Sequence, residues 1–151
     1  MAATAKWFGL GAQGQWSTTA ARRVDWTTDT IKVSLHTVTW TPNQDTNDFW
    51  DDATNEIAAG SGYTAGGVTL GTKSLTYDTA TNTVRLDAAD AVWTFSASKT
   101  MRYAAVYKDT GTPSTSPLMG YVDFGADESS SGTFTIQWDA TDGVLRAVVA
   151  A

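Results

Sequence analysis

The chain contains no cysteine and a single histidine, His36, in 151 residues. The missing thiols exclude disulfides and thiolate metal sites, and they fit a protein made in a reducing compartment. One histidine rules out a His-rich metal centre, and a Ser-His-Asp device would have to use that same residue. Charge is also scarce. Asp, Glu, Lys and Arg make up 17% of the chain, below the roughly one-quarter typical of soluble domains. The net charge of −6 opposes nucleic-acid binding, because neutralising phosphates takes clustered Lys and Arg. Arg22 and Arg23 are the only adjacent basic pair. No stretch approaches an apolar membrane span, and the N-terminus, interrupted by Gly9, Gly11 and Gly14, reads as neither signal peptide nor anchor. The expectation is a soluble protein with no nucleic-acid and no membrane partner.

Aromatic residues are plentiful. Apolar residues reach 42%, with seven Trp, five Tyr and five Phe, enough for the core of one domain. The polarity comes mostly from Thr, Ser, Asn and Gly, and β-branched Thr suits the half-wet face of a sheet. Ile31, Val33 and Leu35 alternate with Lys32, Ser34 and His36, the period-two signature of a half-buried strand. Further strands are expected at Val68–Leu70, Ser74–Tyr77, Val84–Asp87, Val92–Phe95, Met101–Tyr107, Leu118–Phe124, Gly132–Trp138 and Val144–Val149. Thr79–Asn82 and the Asp142-Gly143 pair read as hairpin turns, with Asp109–Pro117 an exposed loop. Asp45 is placed to cap a short helix running through Phe49, Trp50 and Ala53. Many short strands at this spacing predict an all-β fold, a single-domain β-sandwich of jelly-roll type over residues 31–151. Residues 1–30 lack clean periodicity and read as an extended N-terminal arm, with a helical turn around Ser17–Arg23. Its removal is expected to leave residues 31–151 folded.

The groups that could carry chemistry have plainer readings. His36 falls on the face opposite the apolar set of its strand, so a solvated or interfacial side chain is expected. Carboxylates gather at Asp51/Asp52/Glu56, Asp87/Asp90, Asp127/Glu128 and Asp139/Asp142, where turns and caps account for them better than a glycosidase pair. A calcium loop starting at Asp45 fails, because its fifth and sixth positions are Phe49 and Trp50 rather than an oxygen ligand and Gly. Gly9-Leu10-Gly11-Ala12-Gln13-Gly14 matches a dinucleotide fingerprint by letter only, with no buried strand before it; it reads as a chance match in a flexible arm. No catalytic residue, cofactor, metal or small-molecule substrate is expected. Trp7, Phe8, Trp16, Trp26, Trp40 and Trp50 lie near irregular segments and are candidates for a protein interface, or for stacking on sugar rings.

From Ile31 to Val149 the sequence resembles a family of small structural proteins of tailed bacteriophages. The resemblance rests chiefly on Glu56-Ile57-Ala58-Ala59-Gly60-Ser61-Gly62-Tyr63-Thr64-Ala65-Gly66-Gly67. Ile31–Leu35 precedes it, and Val92-Trp93-Thr94, Arg102-Tyr103-Ala104, Ser116–Gly125, Phe134-Thr135-Ile136 and Trp138-Asp139-Ala140 follow in order. It implies a non-enzymatic component of the virion, assembled in the host cytoplasm: a head decoration or cement protein that binds the major capsid protein and other copies of itself, as a homotrimer. The alternative is a tail or fibre component with a carbohydrate-binding role. Within the block, Gly62, Gly66 and Gly67 permit a tight turn, and Tyr63 can bury its ring and place its hydroxyl on a backbone carbonyl. These four residues are expected to specify the fold at a corner.

Overall fold

The computed structural model describes residues 2–150, and the fold is all-β. In chain order the strands are β1 (Ala2–Ala3), β2 (Lys6–Trp7), β3 (Ile31–His36), β4 (Val68–Thr69), β5 (Ser74–Asp78) and β6 (Thr83–Asp87). They continue with β7 (Ala91–Thr94), β8 (Lys99–Lys108), β9 (Leu118–Ser130), β10 (Thr133–Trp138) and β11 (Leu145–Val148). A five-stranded sheet of order β2-β9-β8-β3-β4 forms the body. Two three-stranded sheets, β1-β10-β7 and β11-β6-β5, complete the sandwich.

The large sheet is buried on both faces. Ile31, Val33 and Leu35 of β3, with Ala104 and Val106 of β8, share a core with Trp93, Ile136 and Leu145 from the two smaller sheets. Ala105 and Tyr107 point the other way, into a second core with Phe8, Trp40, Leu118 and Tyr121. Residues 37–56 help to cover that second face. This overturns the expectation of a solvated Lys32/Ser34/His36 face: Ser34 and His36 are fully buried, because period-two alternation reports a polar face and not a wet one. A β-bulge where β9 meets Val106 and Tyr107 lets Met119 and Gly120 both face the first core.

The N-terminal segment is laid across this body. β1 runs parallel to β10, and Ala5 N–H donates to Val144 O at 2.7 Å beside β11. β2 then pairs antiparallel with β9, and Phe8 N–H donates to Met119 O at 2.9 Å. Residues 2–8 therefore bond to all three sheets, and Phe8 and Trp26 are buried in the chain's own cores. The expected boundary near residue 30 does not separate two independent parts.

The expected short helix also moves. Gly9–Gly14 forms α1, where a flexible arm was expected, while residues 45–53 contribute only the 3-10 turn Trp50–Asp52. Glycine suits α1 for a packing reason: a Cβ on Gly11 would lie 2.2 Å from Leu118 O. In residues 43–52 the polar side chains take the backbone N–H groups a helix would use. Asn43 N–H donates to Asn47 Oδ1, Asp45 N–H to Asn43 Oδ1 and Asp48 N–H to Asp52 Oδ2. A second 3-10 turn, Ala20–Arg22, occupies the predicted turn around Ser17–Arg23. Asp142-Gly143 does make a tight turn, with Gly143 N–H donating to Asp139 O at 2.7 Å, but the strands on either side part to different sheets, β10 pairing with β7 and β11 with β6. Gly125–Ser130, expected to be a connection, extends β9 as strand.

Phe8→Ala removes a fully buried ring and should cost about 3–5 kcal/mol of unfolding free energy. Deleting residues 1–8 should cost more, or prevent folding. Urea denaturation checks both, with the exposed Val38→Ala as the control expected to stay within about 0.5 kcal/mol. A truncated chain as stable as the full one would mean the segment is peripheral.

Candidate functional site

Beyond the two cores, β5, β6 and β11 leave apolar side chains uncovered on one face. Register places Leu75 opposite Leu86 and Tyr77 opposite Val84, with Ala147 on the far side of Val84. Leu75 and Tyr77 are 54% and 51% exposed. Residues 15–27 pass over this sheet without filling the space, and a groove of about 720 Å³ remains. Leu75, Val84, Leu86 and Ala147 form its floor; Trp7, Trp16 and Trp26 line its walls.

The polar atoms around the groove are mostly consumed within the chain. The Trp7 indole N–H donates to Arg146 O at 2.8 Å, and that of Trp26 to Asp87 O at 2.9 Å. Gln15 donates to Gly11 O at 3.0 Å and accepts from Val24 N–H at 3.3 Å. The Asp25 carboxylate accepts from Thr27 Oγ1, Thr27 N–H and Thr28 N–H, and the Thr27 and Thr28 contacts hold it below the usual carboxylate range. Arg23 is exposed, and its guanidinium has no ion-pair partner among the described residues. What remains available is aromatic and aliphatic surface with one cation at the rim. Trp16 stands out, 81% exposed, with a second hollow of about 530 Å³ behind it, beside the Arg22–Asp48 ion pair.

Of the six aromatic residues expected at an interface, three therefore meet at one groove and three do not. Phe8 and Trp40 lie in the second core, 6.4 Å apart between ring centroids, and cannot reach a partner without unfolding. Trp50 stacks flat on Tyr107, centroids 4.7 Å apart and 6° between planes, which removes one of its faces from any ligand. Trp26, although it lines the groove, is itself almost wholly buried and acts as wall rather than contact. Leu75, Val84 and Ala147 were not singled out from sequence. Their strands were legible, but an uncovered floor follows from what residues 15–27 fail to fill.

The lone histidine enters a closed polar network on the other side of the molecule. His36 Nδ1 faces Thr54 O at 2.9 Å, so that nitrogen carries the proton and Nε2 accepts from Ser34 Oγ at 2.8 Å. Ser34 Oγ in turn accepts from the Trp50 indole N–H at 3.0 Å. A serine hydroxyl on an imidazole has the outline of a nucleophile and its base. Here both residues are fully buried and Trp50 occupies the approach to Ser34, so the arrangement holds the 37–56 cover in place. Burial, opposed by the Thr54 contact, lowers the His36 pKa to about 4.

The glycine-rich block forms the adjoining corner. Tyr63 Oη accepts from Leu35 N–H at 3.0 Å and donates to Glu56 Oε1 at 2.6 Å, a carboxylate in place of the expected carbonyl. Gly66 N–H donates to the same Oε1 at 2.6 Å, and Tyr107 Oη donates to Gly66 O at 2.8 Å. Burial, reinforced by the Glu56 charge, pushes the Tyr63 phenol well up; burial does the same at Tyr107, reinforced by Asp109 and Glu56. Gly67, at φ +77°, is the tightest point: a Cβ there would meet Val33 O at 1.8 Å. Gly62, at φ +90°, would bring one to 1.9 Å from Thr94 O.

Several of the clustered carboxylates cap turns and loops as expected, but Asp127 and Glu128 do not: they lie within β9, where a turn was expected. Asp139 accepts from Thr141 N–H and Asp142 N–H, Asp90 from Trp138 N–H and Asp87 from Ala88 N–H. Among the described residues no three of His, Asp and Glu converge as a metal site, and no helix is long and apolar enough to cross a membrane. No family model, no curated protein and no solved structure matches the chain.

His36 makes stability depend on pH in a defined direction. The unfolded imidazole takes a proton near 6.5 and the folded one only near 4, so between these values the unfolded chain binds more protons. Stability is full above about pH 7 and falls as pH drops through that window. The loss between pH 7 and 5 should be about 2 kcal/mol from this residue alone. Urea denaturation at both pH values reads it, and His36→Gln should flatten the dependence. An unchanged slope in that variant would assign the effect elsewhere.

Proposed function

We propose that this chain is a non-enzymatic structural protein of a tailed-phage particle, a head decoration or cement protein that attaches to the shell through the groove of Trp7, Trp16 and Trp26. The observation that carries this reading is the groove itself: apolar, walled by tryptophan, and with its polar atoms already bonded inside the chain. Such a surface gains free energy by excluding water against another protein, where exposed Trp beside Arg is the usual anchor. The resemblance of the Glu56–Gly67 block to phage structural proteins supplies the particle context. The partners are the major capsid protein and neighbouring copies of the chain, and many copies each burying a modest area would hold the shell together.

A second reading is favoured by Trp16. An indole ring so exposed, with a hollow on either side, suits stacking on a sugar ring, which would fit a tail or fibre component that binds host glycan. Trp50, half-occupied by Tyr107, does not serve that role as well.

Mixing the purified chain with particles that lack it, followed by co-sedimentation, separates the readings. The decoration reading expects the wild-type chain to pellet with the particles. Trp16→Ala should weaken that binding about tenfold or more while leaving the melting temperature unchanged, because the side chain touches little of its own fold. Failure of the wild-type chain to pellet, together with Trp16-dependent signal on a glycan array, would transfer the assignment to a tail receptor. Pelleting that is indifferent to Trp16→Ala would keep the particle role and remove the groove from it.

A further inference from the structure

We infer that β5 pairs edge-to-edge with β5 of a second copy of this chain, antiparallel about a two-fold axis at Thr76, so that two β11-β6-β5 sheets become one of six strands. Leu75 belongs both to this edge and to the floor of the tryptophan groove, and the experiment below reads association of free chains with no particle present.

Three observations carry it. The first is that β5 is a five-residue open edge. It lies at the end of its sheet, with Ser74 to Tyr77 all exposed. The opposite edge strand, β11, is flanked by the N-terminal segment through the Ala5–Val144 and Trp7–Arg146 bonds, while of the strands that end the other two sheets β1, β2 and β4 are two residues long and β7 four. The second is that β5 is lightly guarded: its single charge, Asp78 at the strand end, is engaged by Ala80 N–H and Thr81 N–H of the adjoining turn. Exposed edges are normally blunted by Lys, Pro or a bulge. Ser74-Leu75-Thr76-Tyr77-Asp78 has none, its ladder with β6 is unbroken, and the neighbouring Lys73 is turned away to donate to Asp29 O.

The third is self-complementarity. With the axis at Thr76, all five residues of each strand are paired. Leu75 faces Tyr77 of the second copy, joining the exposed apolar side chains of both molecules across the seam. Ser74 faces Asp78, a hydroxyl opposite a carboxylate, and Thr76 faces Thr76. No like charges are opposed, which is the condition for stable cross-strand pairing. The contact is short, so the pair is weak in dilute solution and strengthened where copies are held close together, as on a repeating lattice.

Sedimentation equilibrium of the full chain over a wide concentration range reads the association directly. Wild type should pass from monomer to dimer. On the axis a charged residue 76 meets its own copy, so Thr76→Asp and Thr76→Lys should each raise the dissociation constant about fivefold or more. An equimolar mixture of the two should recover wild-type association, because Asp then faces Lys. Thr76 is exposed, and circular dichroism melts verify that each variant is folded. A wild type that stays monomeric, a dimer or trimer indifferent to both substitutions, or variants that weaken yet fail to recover on mixing would each overturn the proposal.

Discussion

The structure depends on residues 2–8 being bonded to three sheets at once. Ala3 lies beside Trp138, Ala5 beside Val144 and Trp7 beside Gly120, so one extended segment closes the seams between strands that are far apart in sequence. Phe8 then drops into the core on the far face of the large sheet, and α1 lies against β9 at Gly11 with no room for a side chain. A segment fixed at so many points emerges in one place and direction. That is why Trp7, Trp16 and Trp26 wall a groove instead of trailing in solvent. Their presentation is a consequence of tertiary hydrogen bonding, and the energy that holds them is shared with the fold.

The second consequence concerns chemistry. Burying both faces of the five-stranded sheet favours partners for the polar groups taken inside, and the indole N–H groups of Trp40 and Trp93 are exceptions that find none. Ser34, His36, Trp50 and Thr54 satisfy one another; Tyr63, Glu56, Leu35 N–H and Gly66 N–H do the same at the next corner. The hydroxyl and imidazole that might have formed a reactive pair are thereby spent on rigidity. What the surface offers is shape and apolar area, in the tryptophan groove and along the bare edge of β5. Both would serve the attachment proposed above.

Much of the fold was legible in the sequence, for identifiable reasons. Ile31, Val33 and Leu35 alternate as a strand must, and Asn82 and the glycines after Gly60 mark turns that the backbone does make. The misreadings share a cause: local pattern carries no information about distant partners. His36 looked solvated because a polar face was equated with a wet one, whereas residues 37–56 fold over it. The Gly9–Gly14 stretch looked flexible because glycine disfavours helix, yet contact with β9 overrides that cost. Residues 1–30 looked like an arm because the strands they join lie beyond residue 117. Of the candidate interface, the aromatic identities were readable but their grouping was not. Trp7, Trp16 and Trp26 are brought together by the β11-β6-β5 sheet, and Phe8, Trp40 and Trp50 by the large one.

The central claim is that a groove presented by a pinned N-terminal segment is the surface this chain uses to attach. Hydroxyl-radical footprinting of the free chain and of the chain bound to particles measures that surface most directly. The account predicts that Trp7, Trp16 and Val84, which line the groove, lose reactivity on binding while the exposed Val38 and Val92, elsewhere on the molecule, keep theirs. Protection at Val38 or Val92 with Trp16 as reactive as before would contradict it.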